Sequence, residues 1–204
     1  HKIGSDFVLD GECVGDLLYA FDLLEWDGED YRPYPYQRRL AALSRLLNQP
    51  GLQAMRLVET AVDPASKERL LGHLQAEKRE GVVFKRLDAP YTPGRPNSGG
   101  TQLKHKFYAT CSAVVSKIND QRSVELRLLN GDGWIPVGNV TIPANCNVPT
   151  VGAVVETRYL YAFPGSNALY QPVYLGPRKD VEQHECVLSQ LKYKDKGTGE
   201  EDLG

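Results

Sequence analysis

The chain has 204 residues, 41% hydrophobic and 25% charged, with a net charge of −2. That length and balance suit one large or two small globular domains, and no apolar run approaches the roughly 20 residues that cross a membrane. The near-neutral charge excludes a chain that is basic throughout, so any nucleic-acid surface must be local.

Apolar-rich runs over Phe7 to Val14 and Leu17 to Leu24 flank Gly15-Asp16, the pattern of a hairpin. Trp26-Asp27-Gly28 is turn chemistry, and Pro33 and Pro35 delay the next element. Tyr36, Leu40, Leu43 and Leu47 recur at helical spacing from about Pro35 to Asn48, with Arg38 and Arg39 on other faces as structural arginines. Met55 to Ala61 reads as a strand, and Asp63-Pro64 caps a helix that runs to about Glu77. Strands follow over Val82 to Leu87 and Gln102 to Lys106, joined by a Pro/Gly/Asn/Ser-rich loop over 93–100. After Phe107 the pattern is all strand, over 110–118, 122–129, 134–142, 153–162 and 170–175, with a turn at Gly131-Asp132-Gly133. Val124, Leu126 and Leu128 alternate with Glu125 and Arg127, and Val155, Thr157, Tyr159 and Tyr161 alternate with Glu156, Arg158 and Leu160. Five strands in so short a span fit a small closed barrel of the OB type. The residues from Asp195 onward contain no core-forming run and read as a disordered tail.

The four cysteines, Cys13, Cys111, Cys146 and Cys186, form no close pair, and His184-Glu185-Cys186 offers too few neighbouring ligands for zinc. Free thiols in a reducing cytoplasm are the expectation; no signal peptide is visible.

The chemistry concentrates in Glu80-Gly81-Val82-Val83-Phe84-Lys85 and Leu103-Lys104-His105-Lys106. On a strand, Lys104 and Lys106 share a face. A carboxylate and lysines on one sheet surface are either an ordinary solvated face or the binding surface for a polyanion with a divalent metal. Between Lys85 and Lys106 five basic residues stand against Asp88 alone, a local basic patch.

Glu80 to Lys85 resembles the fourth nucleotidyltransferase motif of ATP-dependent DNA ligases, and Leu103 to Lys106 the fifth. The tract Lys85 to Arg95 is similar to the connecting segment of bacterial members. Val8-Leu9-Asp10-Gly11-Glu12 and Tyr19-Ala20-Phe21-Asp22-Leu23-Leu24 resemble the Asp-Gly-Glu element and the third motif, and Pro172 to Asp180 resembles the sixth. The matches run in family order through nearly the whole chain.

The resemblance implies an α+β chain. A partial nucleotidyltransferase domain with an ATP-grasp-like antiparallel sheet and helices covers 1–106, and an all-β OB-fold barrel covers 107–194. It implies ATP and Mg2+ as cofactors and nicked duplex DNA as partner, sealed through lysyl-AMP and DNA-adenylate intermediates. Lys104 and Lys106 then take the α-phosphate with Lys85 assisting, and Glu80 takes the metal. Phe21, by itself more a core aromatic, stacks on adenine, and Glu12 meets the ribose hydroxyls or the metal. Arg178 and Asp180 match the segment that contacts pyrophosphate, although Val181 stands where a lysine usually follows, and a plain surface arginine remains the alternative.

The family's nucleophilic lysine lies in Lys-x-Asp-Gly, a motif that the 204 residues do not contain. No catalytic nucleophile is therefore assigned, and the chain reads as a ligase fragment unable to adenylate itself. Its sheet edge invites a complementing N-terminal segment or a second copy. Two other readings stand beside this one: an RNA ligase or capping-type nucleotidyltransferase, and a non-catalytic nucleic-acid-binding module with a degenerate remnant upstream.

Overall fold

Leu17–Trp26 (β2) is the strand on which the first half is built, because Ala20 and Leu23 give it an apolar side that packs into the core. The structure is a computed structural model that describes residues 6–94 and 100–194, so most of the expected loop and the whole expected tail lie outside the described residues. β2 pairs antiparallel with Phe7–Val14 (β1), and Gly15 at the turn takes φ 57. The ladder slips at Asp10/Gly11, where a Cβ on Gly11 would stand 2.8 Å from the Tyr19 carbonyl; only glycine admits so close a backbone. Glu29–Asp30 (β3) extends the sheet, and Tyr36–Leu47 (α1) follows.

Helix α1 lacks a side-chain cap. Its first free N–H groups, those of Tyr36 and Gln37, donate instead to the carbonyls of Ala89 and Leu87. Its buried face is Tyr36, Arg39, Ala42, Leu43 and Leu46, so the face sits one position away from the expected Leu40 and Leu47, and Arg39 is inside. Met55–Leu57 (β4) joins β2 in parallel, a departure from an all-antiparallel sheet. The reason is connectivity: the chain returns through α1 before pairing, as a parallel crossover must. Pro64–Ala76 (α2) starts as expected, with the Ser66 N–H donating to the Asp63 carboxylate. Gly81–Lys85 (β5) and Gln102–Lys106 (β6) pair with each other. Among the described residues β1 is a sheet edge, and it leaves Val8 and Val14 exposed.

The chain divides into two compact units, one holding the residues up to His73 with Val82–His105, the other Leu74–Gly81 with Lys106–Asp195. The second unit includes Ala109–Asn119 (β7), Ser123–Asn130 (β8), Gly133–Thr141 (β9), Val154–Tyr159 (β10), Tyr161–Ala162 (β11), Leu169–Tyr170 (β12) and Val173–Pro177 (β13). Its five-stranded antiparallel sheet has the order β13-β10-β7-β8-β9, and β13 and β9 approach each other, so the sheet curls. Val124, Leu126 and Leu128 are all fully buried, as their alternation predicts. The alternation of β10 holds through Val155, Thr157 and Tyr159 and then fails: Leu160 is buried and Tyr161 is only half-buried. The ladder ends at Tyr159, and the chain re-enters pairing as β11 against β12, which shifts the phase by one residue.

Burial pushes the Cys111 thiol up to about 12, Cys186 up to about 11 and the Tyr159 hydroxyl up to about 12. All three are neutral in the fold, whereas an unfolded thiol ionises near 9. Raised folded values favour the native state at low pH, so their contribution is complete below pH 9 and is lost as pH climbs toward 12. Melting of the second unit is expected to move steadily to lower temperature across that window. A flat profile would show that these groups ionise as freely folded as unfolded.

Candidate functional site

An aspartate in the run Phe21-Asp22-Leu23-Leu24 needs partners, because β2 carries its side chain fully out of water. Arg39 supplies them with a fork: Nε donates to Oδ1 at 2.7 Å and Nη2 to Oδ2 at 3.0 Å. The Leu23 N–H adds a third bond at 3.0 Å. The remaining Arg39 nitrogen donates to the carbonyls of Tyr34 and Ala89, so one buried guanidinium ties β2, the start of α1 and the segment after β5 together.

Lys85 reaches into the same cluster. Its ammonium donates to the Phe21 carbonyl at 3.1 Å and to Asp22 Oδ2 at 3.3 Å, and its side chain is 11% exposed. Lys85, which the resemblance sets beside a phosphate, holds internal partners here: a desolvated ammonium takes the nearest carboxylate and carbonyl. The rings of Tyr36 and Phe21 lie 4.6 and 5.3 Å from it. The Tyr36 hydroxyl donates to the Phe21 carbonyl too, and burial beside the Asp22 charge pushes its pKa up to about 12. A small recess here is lined by Tyr36, Arg39, Lys85, Arg86, Thr101 and Gln102, among others.

Glu80 and Lys106 form an ion pair at 3.2 Å, and Lys106 also donates to the Gln171 side chain. Glu80 stays half open to solvent. Lys104 is exposed, two residues from Lys106 on β6 and so on the same side of that strand. Glu12 is exposed on β1 opposite Tyr19. The Phe107 N–H donates to the Glu80 carbonyl, and Lys192 Nζ caps the carbonyls of Phe107 and Arg79, bracing the two stretches that carry Glu80 and Lys106. Nothing in the sequence singles out Lys192; the role comes from packing alone.

In the second unit Arg178 is held between two carboxylates, with paired bonds to Asp180 at 2.9 and 2.8 Å and one to Glu156 at 2.9 Å. The bonds to Asp180 raise the Arg178 pKa above its ordinary value, and the guanidinium lowers that of Asp180. Val181 packs against the hydrophobic core, which accounts for an apolar residue at that position. The structure therefore joins the expected residues as three groups: Phe21 with Lys85, Glu80 with Lys106, and Arg178 with Asp180.

Asp22 is the polar residue whose importance sequence reading missed, and with it the burial of Arg39, which was read as structural. The available signal was a lone carboxylate within an apolar strand.

Residues 15–106 match the family model described as the ATP dependent DNA ligase domain. A probable DNA ligase of Streptomyces avermitilis is 41% identical over 95 residues, covering 47% of this chain and 18% of that protein. A DNA ligase of Halorubrum lacusprofundi is 40% identical over 105 residues, covering 51% of this chain and 17% of its own length. The chain thus spans about a fifth of the curated relatives it matches. A solved structure of a Lig E DNA ligase superposes with a TM-score of 0.60 at 17% identity, covering 79% of this chain and 63% of that one, which identifies the fold. No described helix is long and apolar enough to cross a membrane.

Proposed function

We propose that this chain, whose residues 15–106 match the ATP dependent DNA ligase domain, contributes the nucleotide-holding face and part of the DNA-holding surface of a nick-sealing enzyme. The observation that carries the reading is the pairing of the Glu80 carboxylate with the Lys106 ammonium at 3.2 Å, next to Lys104 on the same strand. This donor set fits Mg2+ and a nucleoside triphosphate: the carboxylate offers the hard oxygen that Mg2+ takes, and the two ammonium groups offset phosphate charge. Glu80, half open to solvent, is free to exchange its lysine for a metal ion. When bound, ATP supplies an activated adenylyl group.

The chain's own residues then position and neutralise. Lys104 and Lys106 hold the α-phosphate, Glu80 the metal, Phe21 the adenine face and Glu12 the ribose hydroxyls. Arg178 with Asp180 orients the leaving pyrophosphate, which requires the guanidinium to give up one of its carboxylates. In-line displacement at phosphorus needs little else from a protein than such placement. The curled sheet of the second unit offers a surface for the duplex backbone.

Two measurements on the 204-residue chain test this. Nicked duplex DNA is expected to bind weakly, with affinity falling as salt rises because phosphate contacts release counterions. Mass spectrometry after incubation with ATP and magnesium is expected to show no covalent AMP, since Lys-x-Asp-Gly is not in the sequence. Salt-independent binding would remove the DNA surface from the account. An adduct on any lysine, Lys2 included, would place a nucleophile where none is assigned.

A further inference from the structure

We propose that Lys85 is a positioning residue: it fixes Phe21 by holding that residue's backbone carbonyl, and it does not itself contact phosphate. This rests on the nucleotide reading above and deepens it.

The Asp22 carboxylate is already satisfied without Lys85. Arg39 donates to both oxygens at 2.7 and 3.0 Å, and the Leu23 N–H donates at 3.0 Å. The cluster of Asp22, Arg39 and Lys85 thus carries one more positive charge than negative, and Lys85 is the surplus. Its shorter bond goes to the Phe21 carbonyl, at 3.1 Å, and its bond to Asp22 is the longest that carboxylate receives, at 3.3 Å. The Tyr36 hydroxyl brings a second donor to the same carbonyl at 3.3 Å. A carbonyl oxygen has two lone pairs, and here one donor comes from β5 and the other from α1. Clamping that oxygen from two elements fixes the peptide plane after Phe21 and with it the direction in which the ring leaves the strand. The ammonium also lies 5.3 Å from the centroid of the Phe21 ring, an attraction that opposes tilting of the ring. With a side chain only 11% exposed and two donors committed inside the unit, Lys85 is not presented to an external anion.

A phosphate ligand and a positioning residue predict different losses. If Lys85 touched phosphate, Lys85→Met would weaken ATP and leave adenosine alone. Acting through Phe21, it weakens both by the same factor, on the order of five- to tenfold for one lost charge-assisted bond. Tyr36→Phe removes the other donor and is expected to weaken both ligands in parallel, by a smaller factor. The experiment titrates adenosine and Mg-ATP separately into the full chain and into each variant, at a temperature where circular dichroism shows all of them folded. Should Lys85→Met fail to fold, Tyr36→Phe decides the matter.

Equal losses support the proposal; loss of ATP alone, or no loss, overturns it. If the unmutated chain takes up neither ligand, the nucleotide reading is the part that fails. The clamp is then decided by amide exchange at Asp22 in the free protein: faster exchange in the variants supports it, and unchanged exchange overturns it.

Discussion

Asp22→Ala is expected to unfold the first unit, or to leave it destabilised by about 3–5 kcal/mol, the cost of leaving buried charges without their partner. The carboxylate is fully buried and is the only acidic group among the partners shown for Arg39 and Lys85 within the described residues. Its removal leaves two cations side by side, Arg39 only 2% and Lys85 11% exposed, each having lost a bond worth more than a neutral one. A small domain holds only about 5–15 kcal/mol in reserve. Asp22→Asn keeps the volume and one acceptor yet strands the same charges, so it is expected to cost nearly as much. Arg39→Met removes one charge of the three and leaves Asp22 paired with Lys85, a smaller loss even though the Tyr34 carbonyl loses this donor and the Ala89 carbonyl keeps only the Tyr36 N–H. Urea denaturation of the three variants checks the order. Equal stability of Asp22→Ala and the unmutated chain would mean that the cluster is open to water in solution.

Much of the fold was legible because it follows from local patterns. The Gly15-Asp16 hairpin, the capped start of α2 and the alternation through β8 are each set by neighbours within a few residues. Where long-range packing decides, the sequence misleads. Arg39 reads as a structural arginine, but on a face away from the apolar one, until Asp22, seventeen residues upstream, draws it inside. Leu160 reads as the outward residue of an alternating strand until the ladder ends at Tyr159 and β11 takes another partner. Lys85 carries the motif lysine into the interior, a direction that only the positions of Phe21 and Asp22 reveal. Glu80 and Lys106, by contrast, were expected near one another and stand at 3.2 Å, because Glu80 directly precedes β5 and Lys106 ends β6, the strand it pairs with.

The largest binding effect is expected from Lys104→Ala combined with Lys106→Ala. Both side chains lie on one face of β6, Lys104 exposed and Lys106 partly so, so neither replacement disturbs the core. Removing both takes two positive charges from the proposed α-phosphate position, for a loss of ATP affinity on the order of thirtyfold. Glu80 would lose its ion-pair partner at the same time and would be left free to take the metal, so weak magnesium binding should survive. On nicked duplex DNA the same double variant is expected to flatten the salt dependence by up to about two contacts.

Calorimetric titration of Mg-ATP and of adenosine into the unmutated chain and the double variant tests the central claim most directly. The account predicts one saturable site for each ligand on the unmutated chain. In the Lys104→Ala, Lys106→Ala variant ATP should weaken by about thirtyfold, with adenosine unchanged. ATP binding equally well to both proteins would contradict it, and the phosphate site would have to lie elsewhere.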